Sequence, residues 1–328
     1  MSSDSMISTL LTISREILVY GGILLLIIGT IGNSLNIILF LSLKTFRQTS
    51  SVVYLTVSSF VHIGLLLTGL LSRIVFNVFD IDWTSTSPFY CKFRTYLLHF
   101  CGLSSLLSTL LAIVDQFFAT STHVRWQQWS NIKVGRYLST IMLLFWSVYL
   151  CPHLIYFNVI GTTRSTCTIT NPIYSRYYND FFIPVLWFLL PYFLIILFCL
   201  LTYRNIRHIS YRTVPLLRRR IDEQLTVMIF VQAVFSVIIA LPYMILLTVV
   251  SHMTFTADQL TIAQLQLTQN ITICLYYIYP ACPFYIYICV SERFRRQLQH
   301  VFIGFCRNQW NKRRIHTINQ LEAQLQEP

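Results

Sequence analysis

Residues 17–43 read ILVYGGILLLIIGTIGNSLNIILFLSL, with no Asp, Glu, Lys or Arg among them. A bilayer core takes roughly 20 apolar residues per helical span. Six further uncharged runs follow: Gln48–Ser72, Thr95–Val114, Tyr137–Thr163, Phe181–Tyr203, Gln224–Val250 and Gln259–Ser291. The other structure that crosses a bilayer, a closed barrel, has strands that alternate apolar and polar residues, and these runs do not alternate. The expected fold is an all-α membrane protein, a seven-transmembrane helix bundle spanning residues 17–290. Residues 1–16 form an extracellular N-terminal tail, and residues 291–328 a cytoplasmic amphipathic helix and tail.

Composition agrees with this reading. Of 328 residues, 55% are hydrophobic and 11% charged, a balance that no soluble domain needs. The net charge of +12 raises the question of nucleic acid, but its distribution answers it. Eighteen of the 24 Lys and Arg fall in the loops after spans one, three and five and in the C-terminal segment. The positive-inside rule makes that side cytoplasmic and places the N-terminus outside. The basic surplus is read as topology plus attraction to anionic lipid, so the partners expected include the lipid bilayer and no nucleic acid. Arg15 and Glu16 interrupt the start of the chain, and the first apolar run is too long for a signal-peptide core, so no cleaved signal is expected.

Most of the nine cysteines lie within spans, where a thiol is usually a small apolar packer. Cys91 and Cys167 lie instead on the expected oxidising outer face, and a disulfide between them is the favoured reading. The sequon Asn270-Ile271-Thr272 falls inside the seventh run and is expected to carry no glycan. After Ser291, a plausible N-cap, Phe294, Leu298, Val301, Phe302 and Phe305 recur at helical spacing opposite Arg295, Arg296, Gln299 and His300. This is the pattern of a short amphipathic eighth helix on the inner leaflet, ending at Cys306, a candidate lipidation site. Histidines are scattered and no acid lies at mid-depth, so no catalytic or metal site and no cofactor is expected.

Several motifs occur in a fixed order: Gly32-Asn33 in the first span, Cys91 before the third, Asp115-Gln116-Phe117 at its end, Trp146 in the fourth, Pro191 in the fifth, Leu241-Pro242 in the sixth, and Cys282-Pro283-Phe284-Tyr285-Ile286-Tyr287 in the seventh. In this order and spacing the chain resembles the rhodopsin-like (class A) G-protein-coupled receptors, in a divergent orphan form, over roughly residues 17–306. The resemblance implies a plasma-membrane, multi-pass receptor. It would bind an extracellular small-molecule or peptide ligand within the bundle and signal to a heterotrimeric G protein. The runner-up readings are a transporter or channel and a coupling-deficient decoy receptor; an enzyme is not expected.

Family geometry implies a ligand pocket formed by Leu98, His99, Gly102, Trp187, Tyr243, Met244, Thr272 and Tyr276. Leu98 stands where amine receptors carry an Asp, which disfavours a monoamine. Tyr276 stands where opsins carry the retinal lysine, and the chain's four lysines all lie outside the spans. Arg73, Arg94, Arg164 and Arg176 gather at the outer mouth, either to grip an anion or to pair with Asp80, Asp82 and Asp180. Coupling and switching fall to Asp115, Gln116, Phe117, Asp222, Pro242, Pro283 and Tyr287, with Tyr285 the alternative to Tyr287 as the inward hydroxyl.

The chain also departs from the family pattern. Gln116 stands in place of the family's arginine, so its bond to Asp222 would be a weaker latch than an ion pair. The second span has no acid and the seventh-span Asn is Cys282, so sodium-dependent regulation is not expected. Ala240 replaces the sixth-span tryptophan, which removes the usual aromatic toggle.

Overall fold

A computed structural model describes residues 3–79, 83–121, 123–161, 166–209, 216–252, 258–301 and 303. Among the described residues, six helices are long and apolar enough to cross a membrane: α1 (Asp4–Ser42), α2 (Ser50–Phe79), α3 (Pro88–Ala119), α4 (Ile132–Tyr156), α5 (Pro172–Arg207) and α6 (Gln224–Ser251). A seventh span results if α7 (Gln259–Ala281) and α8 (Pro283–Val290), which meet at a bend of 56°, are counted together. The described chain is thus predominantly α-helical, with six or seven helices long and apolar enough to span a membrane, consistent with an all-α multi-pass membrane protein. Residues 292–301 are also helical, and the Ser291 hydroxyl accepts a hydrogen bond from the Phe294 N–H at their start. Cys306 lies outside the described residues.

Local sequence sets where the helices begin. Ser87 and Asn171 each precede a proline at the first helical position, and their side chains accept bonds from the N–H groups of Tyr90 and of Ile173 and Tyr174 respectively. Asn131 caps α4 in the same way through the Lys133 N–H. The bend between α7 and α8 follows from Pro280 and Pro283, which remove backbone donors from the helical ladder. The Asn33 side chain donates to the carbonyl of Pro280 at 2.8 Å, so a neighbouring helix satisfies an acceptor at the break.

Polar side chains are buried inside the bundle alongside an apolar core, and many large apolar side chains face outward. Asn33, His62, Ser105, Ser108, Thr109 and Asp115 are buried, while Leu24, Ile27, Ile31, Leu144, Val148, Leu200 and Ile238 are exposed. Large apolar side chains around the rim with buried polar ones at the centre suit a bilayer as the surrounding solvent. α3 is the central helix: 67% of its most apolar stretch is buried, against 22% for α6.

Three features go beyond the sequence reading. Residues 3–16, read as a tail, are helical and continue into α1. At 39 residues α1 is about 58 Å long, well beyond a hydrocarbon core of roughly 30 Å. This first stretch docks on α7, where buried Asn270 donates to the hydroxyl and carbonyl of Ser14. Second, Ile17–Gly21, Leu66–Leu71 and Tyr178–Leu189 are wound as π-helix. Third, β1 (Phe157–Ile160) and β2 (Thr166–Ile169) pair antiparallel after α4, and β1 leads into Gly161, whose φ of 115° favours glycine.

Cys91 at the start of α3 and Cys167 in β2 are disulfide-bonded, with Cα atoms 5.7 Å apart. The bond closes a loop of 76 residues and pins the hairpin onto α3. The Cys167→Ser variant is expected to lose about 2–4 kcal/mol of stability. Thermal melting of the purified chain should show a lower Tm, and reductant should lower the native Tm while leaving the variant's unchanged.

Candidate functional site

At the end of the bundle opposite the disulfide, Asp115 and Gln116 close α3, both buried. Asp115 accepts hydrogen bonds from the Ser50 hydroxyl, at 2.7 and 2.8 Å to its two oxygens, and from Ser51. Ser50 also meets the Ser130 hydroxyl at 3.2 Å. No described cation pairs with this carboxylate; hydroxyls from the first turn of α2 and from Ser130 supply its partners instead.

Gln116 extends the network to a third helix. Its side-chain nitrogen donates to the Ser51 oxygen at 2.6 Å, and its side-chain oxygen accepts from the Thr226 hydroxyl at 2.5 Å. An unbroken relay therefore runs from Thr226 on α6 through Gln116 on α3 and Ser51 on α2 to Asp115. Such a chain needs a group that donates and accepts at once. An amide does both, whereas an arginine carries donors only and could not accept from Thr226. Linked hydrogen bonds in a low-dielectric interior also polarise and strengthen one another. Asp222 lies on a helical stretch whose side chains fall outside the described residues, so the described partners of Gln116 are Ser51 and Thr226. Phe117 packs edge-on against Phe198 of α5 and Trp126.

Farther along the axis, His62 occupies the middle of the bundle. Its ring nitrogens meet Asn33 and Ser58, each at 3.3 Å, and it lies edge-on to Tyr279 with centroids 5.1 Å apart. Tyr279 in turn meets Ser105 at 2.6 Å. A histidine held among Asn, Ser and Tyr has no carboxylate to offer a sodium ion, which takes oxygen ligands. Exchange of sodium for potassium or N-methylglucamine is expected to leave the Tm of the purified chain unchanged; a sodium-specific rise would contradict this.

The two candidate inward tyrosines are distinguished by burial. Tyr287 is buried, hydrogen-bonds Gln232 of α6 and packs on Phe294. Tyr285 is exposed, and its hydroxyl donates to the carbonyl of Ile28. Pro242 lies within α6 and Pro283 opens α8.

Toward the disulfide end, the expected ligand-binding residues form two packed groups. His99, Gly102 and Trp187 form the first. A Cβ placed on Gly102 would stand 2.8 Å from the Trp187 ring, so the absence of a side chain there admits the indole. The His99 ring meets the Thr95 carbonyl at 2.6 Å and the Tyr178 hydroxyl at 2.8 Å, and sits 4.6 Å, centroid to centroid, from both Trp187 and His153. Tyr243 and Tyr276 form the second group, 5.0 Å apart, with buried Met244 nearby in sequence on α6. Thr272 bonds back to its own helix, and Leu98 is half-buried.

Several participants escape sequence reading. Ser50, Ser51 and Thr226 are missed because a serine or threonine in a membrane helix usually bonds its own backbone, as Thr56 and Thr68 do here. His153, Tyr178 and Phe182, which enclose His99, carry one weak signal: Tyr178 and Phe182 stand four residues apart on one helical face. The sequence matches no model of a known protein family and no curated protein, so the functional reading rests on the residues and their geometry.

Proposed function

We propose that this chain is a cell-surface receptor of the rhodopsin-like type. It crosses the plasma membrane seven times, with its N-terminus outside, its C-terminus inside and residues 292–301 lying along the inner leaflet as an eighth helix. An extracellular ligand shifts the bundle between two arrangements, and the basic end engages a heterotrimeric G protein. The observation that carries this reading is the relay Thr226–Gln116–Ser51–Asp115. It ties α6, α3 and α2 at the end where Arg47, Arg125 and Arg293 gather. A latch that opens for a cytoplasmic partner would lie at this end.

The test is a panel of Gα readouts in cells expressing the full chain, with surface expression matched. A response from at least one Gα, with or without added extract, is expected. Silence across the panel, together with substrate uptake or current in liposomes of the purified chain, would overturn the reading in favour of a transporter or channel.

The coupling-deficient alternative draws on one feature: both polar atoms of the Gln116 amide are engaged within the bundle. Gln116→Arg separates the two. A native chain that responds, and loses or changes its basal level on substitution, is a working receptor. A silent native chain that gains coupling on substitution is a decoy or heteromer partner.

A further inference from the structure

We infer that α4, at its end away from the disulfide, is a docking face for an anionic phospholipid. Lys133 and Arg136 hold the headgroup phosphate, and the acyl chains lie along Tyr137, Ile141, Leu144 and Val148. The site needs the bundle to cross a bilayer, but neither an extracellular ligand nor a G protein.

Helical periodicity brings these residues to one face. α4 buries Gly135, Ser139, Met142 and Trp146, which form a single stripe. A Cβ on Gly135 would stand 3.3 Å from Ser50 of α2, so this stripe turns toward the bundle. Tyr137, Ile141, Leu144 and Val148 recur on the opposite side of the helix, and all four are exposed. Lys133, one turn before Tyr137, stands on that outward face; Arg136 flanks it, and both are exposed. The rise from Tyr137 to Val148 is about 16 Å, close to half of a hydrocarbon core of roughly 30 Å. An apolar stripe one leaflet deep therefore ends in a phenol ring and two cations. A phospholipid presents its chains, its interfacial esters and its phosphate in that order.

The turn before α4 adds an anchor at the same level. The Trp129 N–H donates to the Trp126 carbonyl and the Asn131 N–H to the Trp129 carbonyl, which folds this stretch tightly onto the start of α4. Trp126 packs on Phe117 and Phe118, whereas Trp129 is 62% exposed. Tryptophan favours the headgroup level of a bilayer. The positive end of the α4 dipole adds to the two cations.

Charge selects the lipid. No Asp or Glu occurs between Asp115 and Asp180, so the segment that carries Lys133 and Arg136 is cationic without interruption. Phosphatidylcholine brings its own cation beside the phosphate, whereas an anionic lipid leaves its charge to the protein. The cations share the face of α4 that looks out into lipid, away from the Thr226–Gln116–Ser51–Asp115 relay, which favours a headgroup over a docked protein here.

The experiment uses the full-length chain with a fluorescent noncanonical residue in place of Ile141, in phosphatidylcholine nanodiscs. These are doped with brominated-chain phosphatidylglycerol or, at the same mole fraction, brominated-chain phosphatidylcholine. Bromine quenches at short range, so the ratio of the two quenching strengths reads the enrichment of anionic lipid at α4. Quenching by phosphatidylglycerol is expected to be roughly fivefold stronger or more. Lys133→Gln/Arg136→Gln should abolish the difference, and Lys133→Arg should keep it. Arg204→Gln/Arg207→Gln removes equal charge from the exposed end of α5 and should change nothing. Equal quenching by the two lipids in the native chain would overturn the site, as would a difference that survives Lys133→Gln/Arg136→Gln. An equal loss in the α5 variant would leave the cations as a topological signal only and overturn it too. Equal quenching together with a Gα response lost in Lys133→Gln/Arg136→Gln would assign the face to the G protein instead. Enrichment in a chain silent in every Gα readout would support the site and count against the receptor reading alone.

Discussion

The double variant Ser50→Ala/Ser51→Ala is expected to lose most of its folded population, and adding Asp115→Leu to restore much of it. The carboxylate of Asp115 is buried, and the hydroxyls of Ser50 and Ser51 are its nearest donors, with the Ser130 hydroxyl and the Ser51 backbone beside them. Removing them leaves a buried acid short of its two nearest donors, which costs about 1–3 kcal/mol for each lost bond to a buried group, a large part of the stability of an ordinary domain. Replacing the acid as well removes the unsatisfied group rather than adding a second loss, and a matched apolar set is close to neutral. The measurement is the yield and Tm of monodisperse chain for the native, double and triple variants. If the double variant melts with the native chain, the serines do not hold Asp115.

Thr226→Val is expected to release α6 from α3. Valine keeps the shape of threonine but cannot donate to the Gln116 oxygen, so the buried acceptor is left without its α6 partner in the resting arrangement only. That penalty is about 1–3 kcal/mol and shifts a two-state equilibrium roughly 5- to 150-fold toward the arrangement in which α6 has moved away. In cells this should appear as ligand-free signalling above the native level. Thr226→Ser retains the hydroxyl and should behave as the native chain does.

How much of the molecule is legible in its sequence differs by element. The spans are, because a long uncharged run can satisfy its backbone and bury its side chains at once by crossing a bilayer as a helix. The boundaries of α2 through α6 lie within about two and a half turns of the apolar runs, and the seventh run is divided between α7 and α8. The helix over residues 3–16 is not legible. Its sequence, SDSMISTLLTISRE, mixes polar and apolar residues, and what orders it is docking on α7 through Ser14 and Asn270, a contact 256 residues away. The hairpin of β1 and β2 is hidden for a similar reason: its strands are four residues each and are held by a disulfide to α3. At the site, Asp115 and Gln116 can be found by position, and the disulfide by its expected side of the membrane. Their partners cannot, since a serine two residues past a turn carries no mark of whether it bonds its own helix or its neighbour's carboxylate. The expected pocket residues are brought together in part, but as packed groups in which Trp187 lies against Gly102.

The central claim is that Gln116 bridges α6 to α2 and that this bridge holds the resting arrangement. The most direct test is the distance between spin labels at Arg47 and Val227, both exposed, in the purified full-length chain without ligand. Labels carried on noncanonical amino acids avoid the nine native cysteines. A bridge of this kind predicts one dominant distance in the native chain and in Thr226→Ser, and in Thr226→Val a second, longer population of comparable or greater weight. Three superimposable distributions would contradict it.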